Sequence, residues 1–242
     1  MPRITPDNRI PDIVNAAIRV FGLKGYRLTQ MDEIAERAKV SKATLYYYFK
    51  NKAHLFQYVL ENGSLNGGAS LPPPDSSSSL SDRELLQLLK KRLKEDSSLN
   101  SIRSCMDAKS KHIDLSKEIA AITEELWDLT ATNRVQLIIL ERSFLEFRKL
   151  AEIYDTYARG RILSQLENYL ALRVKQGVIR PPNSVPATAR FMLESIAWFG
   201  YKQSMGRHRP FGKIEALPDL VSVFTHGLLR ENEGQPVRSK VD

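Results

Sequence analysis

The residues whose types and spacing could do chemistry crowd into one short stretch, Leu28 to Phe56, which reads LTQMDEIAERAKVSKATLYYYFKNKAHLF. Lys42, Ala43, Thr44 and the consecutive phenols Tyr46, Tyr47 and Tyr48 fall within seven residues, and Lys52 follows. Between Glu36 and Glu61 there is no acid, while Arg37, Lys39, Lys42, Lys50 and Lys52 are basic. The chemistry such a set offers is recognition of a polyanion. Hydroxyls and ammonium groups donate to phosphate oxygens, and short side chains at a helix start can approach base edges. Consecutive tyrosines at a basic helix end are unusual as surface decoration, because exposed aromatic area is normally limited. On charge alone, a solvated basic face explains the stretch as well.

Other chemistries lack a signal. Cys105 and His112 lie seven apart, but one Cys and one His do not make a zinc site. His54, His112, His208 and His226 are scattered without ligand spacing. No Gly-x-Ser-x-Gly elbow or phosphate-cradling glycine loop occurs. Glu124, Glu125 and Asp128 read as a solvated helical face. The expectation is therefore no catalytic residue, no metal and no cofactor. The single cysteine forbids an intrachain disulfide and fits a reducing cytosol. The N-terminus has no apolar segment of a signal peptide, and no apolar run approaches a membrane span. These readings point to a cytoplasmic, non-membrane protein.

The elements that must position the basic stretch follow from periodicity. Residues 9–24 form an amphipathic pattern through Ile10, Ile13, Val14, Ala17 and Phe21, with Gly25 placed to end it. Thr29 is expected to cap a second helix with Met31, Ile34, Ala35 and Ala38 inward. After the Lys39-Val40 turn, Ser41 caps a third helix, Lys42 to Tyr48, and Asn51 a fourth with Leu55, Phe56 and Val59 inward. Val40, Leu45 and Phe49 are spaced to pack, which leaves Lys42, Ala43, Thr44, Tyr46, Tyr47 and Tyr48 for outer faces. Two short helices joined by a tight turn suit the major groove of B-DNA.

Residues 63–81, rich in Gly, Ser and Pro, break the pattern and read as a flexible linker. Helical periodicity resumes near 82–95, 100–111, 115–147, 149–176, 184–205 and 216–230, and alternating strands are absent. The chain is expected to be all-α, with a helix-turn-helix DNA-binding domain at 1–62 and a helical ligand-binding and dimerisation domain at 82–242. The 242 residues carry a net charge of +8. Residues 1–62 hold ten Lys/Arg against six Asp/Glu, so half of the excess sits on a quarter of the chain.

At these residues the segment closely resembles the DNA-binding signature of the TetR family of repressors. Thr29, Ile34, Ala35, Ala38, Val40, Ser41, Thr44, Leu45, Tyr46, Tyr48, Phe49, Lys52 and Leu55 fill that pattern. The resemblance implies base-edge or groove contacts by Lys42, Ala43, Thr44 and Tyr47, and phosphate contacts by Thr29, Tyr46, Tyr48 and Lys52. Ala43 stands where Gly or Pro is frequent. The resemblance also implies a homodimer on a palindromic operator, joined through helices near 184–205 and 216–230, and a small-molecule effector in the C-terminal helical core. In the family, the fourth helix links the two domains, whereas here it ends near Asn62, ahead of the 63–81 linker.

The C-terminal pattern has its own content. Leu217, Leu220, Val221, Phe224 and Leu228 make one stripe, while Phe191, Met192, Ile196, Trp198 and Phe199 spread over two faces. A helix apolar on two faces needs two partners, a core and a symmetry mate. Trp127, Asn133, Arg134, Tyr154, Tyr157 and Trp198 are the candidate ligand-binding residues, suited to an apolar or aromatic molecule. The reading is a DNA-binding repressor released by ligand. The alternatives are an activator or constitutive DNA binder without a ligand, and a helical enzyme or lipid binder with a vestigial helix-turn-helix.

Overall fold

The structure, a computed structural model, describes residues 9–63, 79–107, 113–206 and 210–229. Among them every regular element is helical, and one isolated antiparallel bridge joins Ile179 to Leu229. In chain order the helices are α1 (Ile10–Leu28), α2 (Met31–Arg37), α3 (Lys42–Tyr48), α4 (Lys52–Asn62), α5 (Asp82–Asp96) and α6 (Asn100–Asp107). Then come α7 (Leu115–Thr132), α8 (Arg134–Phe144), α9 (Arg148–Tyr154), α10 (Gly160–Lys175), α11 (Val185–Gly200) and α12 (Lys213–Leu228). The all-α expectation holds. Most of the 63–81 linker, residues 64–78, lies outside the described residues, as do His112 and His208.

Packing divides the chain into two compact units, Met1–Ser98 with Thr130–Arg161, and Leu99–Leu129 with Ile162–Asp242. The first unit therefore takes α5, α8 and α9 along with the four N-terminal helices, across the composition break at 63–81. Its core is built on α1. Ile10, Ile13, Val14, Ala17 and Phe21 are buried at helical spacing, and Pro11 sits in the first turn, where a missing N–H costs nothing. The ring of Phe56 from α4 meets Phe21 edge-on at 5.0 Å and Tyr26 at 4.8 Å. Tyr26 in turn stacks on Phe147 at 5.4 Å.

Two expected helices are interrupted. The stretch 115–147 divides at Asn133, whose φ of −93° and ψ of 19° leave the helical path. Thr130, Thr132 and Asn133 are poor helix formers whose side chains compete for backbone partners. The stretch 149–176 stays helical but opens into a π turn over Asp155–Arg159. A Cβ at Gly160 would lie 2.6 Å from the Asp155 carbonyl oxygen, so the absent side chain admits that turn.

The second unit contains α6, α10, α11, α12 and most of α7. A buried polar cluster sits among its apolar residues. Arg173 of α10 is 2% exposed and donates to both carboxylate oxygens of Glu118, at 2.6 and 2.7 Å. The same guanidinium reaches the Cys105 carbonyl at 2.8 Å and Gln176 Oε1 at 2.7 Å, while the Tyr169 hydroxyl donates to Glu118 at 3.0 Å. On α11, Ala189, Met192, Leu193, Ile196 and Ala197 face the core. Phe191 and Trp198, two turns apart on the opposite side, are 58% and 48% exposed. The expected two-faced helix is present, but it ends at Gly200 and gives way to a short 3₁₀ turn, Lys202–Met205.

Candidate nucleic-acid interface

The turn between α2 and α3 is closed by backbone bonds. The Val40 amide donates to the Ala35 carbonyl at 3.0 Å and the Lys39 amide to Glu36 at 3.0 Å. This closure requires a left-handed residue, and Lys39 supplies it at φ 55°. Ser41 then caps α3, its Oγ accepting from the Thr44 amide at 3.0 Å and lying 2.7 Å from Thr44 Oγ1. Leu45 and Phe49 are fully buried beneath the helix, and Asn51 caps α4 by accepting from the His54 amide at 2.9 Å. The three caps and turns sit where the amino-acid pattern put them.

The outer face of α3 carries Lys42, Ala43, Thr44, Tyr46 and Tyr47. Lys42 and Ala43 are exposed and Thr44 half-buried. Tyr47 is 63% exposed, the most of the three phenols, and Tyr46 lies near the edge of exposure. Lys42 Nζ bonds Asp32 at 2.9 Å, and this acid holds the ammonium above its ordinary pKa. Lys24 likewise pairs with Glu33 and keeps that carboxyl low. Both acids sit in the first turn of α2, where the helix dipole also favours them.

Three of the expected contact residues are engaged within the protein. Tyr48 is 5% exposed and its ring packs edge-on against Tyr47, so its face belongs to the small core. The position just before Phe49 falls on the inner turn of α3. Thr29 is 1% exposed, and its hydroxyl donates back to the Gly25 carbonyl at 2.6 Å. It finishes α1 and does not cap α2; Gln30 occupies the cap position, without a side-chain bond. Lys52 Nζ donates to the carbonyls of Arg27 and Thr29, each at 2.9 Å, and lies over the Tyr26 ring at 4.9 Å. Burial pushes its pKa down. Lys52 thus ties α4 to the loop ahead of α2. Gln30, Arg37, Lys39 and Lys50 are exposed beside the face; the gap in acids marks this region, but the pattern gives no way to choose among them.

The end of α1 kinks at Gly25, and the segment from there to Thr29, ahead of α2, is heavily bonded. Gly25 has φ 76°, and a Cβ there would lie 2.9 Å from the Arg142 carbonyl and nearer still to Glu146. The Tyr26 amide donates to Ser143 Oγ at 3.0 Å, and the Arg27 amide to both Glu146 oxygens at 3.1 Å.

The matched family model, that of bacterial regulatory proteins of the tetR family, covers residues 13–59, the span of α1 to α4 just described. Residues 13–59 carry the DNA-binding domain of the TetR family. This TetR head is 46% identical over 59 residues to YvkB of Bacillus subtilis, an uncharacterized transcriptional regulator, across 24% of this chain and 31% of that protein. It is 44% identical over 59 residues to the transcriptional activator FasR of Mycolicibacterium smegmatis, across 24% of this chain and 27% of that one. The matches thus span about a third or less of those relatives' length. The fold is similar to that of NalD, the secondary repressor of the MexAB-OprM pump in Pseudomonas aeruginosa. There the identity is 18% and the TM-score 0.52, over 94% of this chain and 100% of that one.

The six ligand-binding candidates do not gather in either unit. Asn133, Arg134, Tyr154 and Tyr157 belong to the first, Trp127 and Trp198 to the second. Trp127 is buried and stacks on Phe199 at 6.4 Å, whereas Trp198 is half-exposed. Tyr154 packs on Phe144 at 5.1 Å. Among the described residues no three His, Cys, Asp or Glu form a metal-binding group, and no helix is long and apolar enough to cross a membrane.

Proposed function

We propose that this TetR-family regulator acts as a homodimeric repressor that grips a palindromic operator and lets go when a small molecule binds. The observation that carries the reading is the outer face of α3, a capped helix of groove-entering size without an acid of its own, which presents Lys42, Ala43, Thr44 and the exposed Tyr47. Repression follows from occupancy alone, since a duplex filled by two heads is closed to other proteins; activation needs a further contact.

Dimerisation through α11 and α12 is supported by the solvent-facing Phe191 and Trp198 and by Val223, 59% exposed. Apolar side chains contiguous on two neighbouring helices mark an interaction surface. Two-fold pairing would place the heads on half-sites about 34–36 Å apart, or a multiple of that.

The test is fluorescence anisotropy with duplexes from beside the protein's own gene against scrambled duplexes, over a salt series. A sequence preference lost at least tenfold in Tyr47→Ala is expected. With about three phosphate partners per subunit, the log-log salt slope should be about −5. Equal affinity for scrambled DNA, or a strictly monomeric protein on DNA, would overturn the reading. The head's likeness to FasR favours activation as the second reading; in vitro transcription from the bound promoter decides, by a fall or a rise in transcript.

A further inference from the structure

Within the first unit, Arg27, α5 and the start of α9 enclose a cleft of about 600 Å³. That volume is in the range of small-molecule sites, about 300–1,000 Å³. Leu86, Phe147, Ile153 and the side-chain stems of its neighbours give it an apolar wall, and Arg27, Arg83, Lys90 and Lys149 line it as residues exposed to solvent. The one acid lining it, Asp82, is already engaged. One of its oxygens accepts from the Tyr26 hydroxyl and the other lies 3.4 Å from the Arg27 guanidinium. Neither Arg83 nor Lys149 has an ion-pair partner among the described residues. Arg27 lies over the Phe147 ring at 4.4 Å with its side chain half exposed, so a carboxylate could compete with Asp82 for its fork.

We infer that this cleft is a binding site for a small amphipathic anion, a carboxylate carried on an alkyl or aryl body. A bare phosphate would satisfy the cations but leave the Leu86, Phe147 and Ile153 surface wet. A neutral apolar molecule would cover that surface but gain nothing from the positive potential of the four neighbouring cations. The DNA backbone has no apolar body to put there. Charge and shape together select an anion with a hydrophobic tail.

The position of the site gives binding a consequence, and this part rests on the ligand-responsive reading above. Arg27 belongs to the loop whose amides are held by Ser143 and Glu146 and whose carbonyls are held by Lys52. An anion that draws Arg27 from Asp82 pulls on the segment that leads into α2. The cleft thereby connects an effector to the reading head through five residues of chain, Gly25 to Thr29.

Titration calorimetry of the full chain with decanoate, decanol and inorganic phosphate tests the site without DNA. Decanoate should bind once per subunit, at least tenfold tighter than either control. The double variant Arg83→Ala/Lys149→Ala, both exposed, should weaken decanoate at least tenfold while its thermal midpoint is unchanged. Unaltered decanoate binding in the folded variant overturns the site, as does phosphate binding as well as decanoate, or displacement of decanoate by scrambled duplex. Operator anisotropy with saturating decanoate tests the consequence separately. Unchanged operator affinity with decanoate bound refutes the coupling and leaves the site standing. Absence of any operator preference refutes the regulator reading instead.

Discussion

The loop that ends α1 and the Arg173 cluster of the second unit both shield polar groups, and they do it in opposite ways. Gly25 to Thr29 are held by separate side chains, each bonded to the segment independently: Ser143, Glu146, Lys52 and the Thr29 hydroxyl. The neutral ones are worth about 0.5–1.5 kcal/mol each and those to Glu146 and Lys52 about 1.5–3 kcal/mol, and each can be lost without leaving a buried charge unpaired. Arg173 and Glu118 instead form a nearly dry charge pair that satisfies three neighbours together. Such a pair is all or none, because the survivor of a broken pair is a buried charge. The segment leading into the reading head is thus the adjustable one, and the interior of the second unit is the locked one.

The largest effect should come from breaking the lock. Arg173→Met leaves Glu118 unpaired beside Tyr169, and unfolding by urea should show a loss of about 3–5 kcal/mol. Arg173→Met with Glu118→Leu should recover most of it, since a pair replaced by apolar groups is often neutral. A loss below about 1 kcal/mol in the single variant would mean that the cluster is wetter than its geometry. Gly25→Ala is next. A left-handed alanine costs about 1–2 kcal/mol on its own, and here Glu146 must also move from its place against the Arg27 amide. The same urea measurement should give a smaller loss than Arg173→Met, together with weaker operator binding, since this loop carries Lys52's anchors.

What the amino-acid pattern could and could not reveal divides along the same line. Ser41 and Asn51 cap their own helices, so local spacing was enough to find them. The inward face of α3 was legible through Leu45 and Phe49 for the same reason. Gly25 was expected to end α1 but instead kinks it, because the helix runs on to Leu28 and the glycine admits Arg142 and Glu146 from over a hundred residues away. Thr29 was misassigned because its partner, the Gly25 carbonyl, lies behind it in α1 and not ahead in α2. Tyr48 was misassigned because three adjacent phenols offer no contrast of type, and only the rotation of a seven-residue helix decides which one is buried. Lys52 and Glu146 meet the loop from 23 and 119 residues away. No periodicity encodes such a meeting, and the basic cleft beside Phe147 was invisible for that reason.

Smaller changes sharpen the contrast within the head itself. Ser41→Ala removes the α3 cap and should cost about 1 kcal/mol, read as a lowered thermal midpoint with the second unit's transition unmoved.

Lys39→Gly is the smallest and the most informative. Lys39 sits at φ 55°, where a residue with a Cβ is strained by about 1–2 kcal/mol. Glycine relieves that strain but adds about 0.5–1 kcal/mol of chain entropy to the unfolded state. The net expectation is a gain of about 0.5 kcal/mol, seen as a modest rise in Tm. Yet the same change removes an exposed cation beside α3, two per dimer. If Lys39 touches phosphate, the salt slope should become shallower by about 2 while the fold grows more stable. A more stable head with an unaltered slope would assign Lys39 to the turn alone, and would leave Lys50 and Arg37 as the charges that meet the backbone.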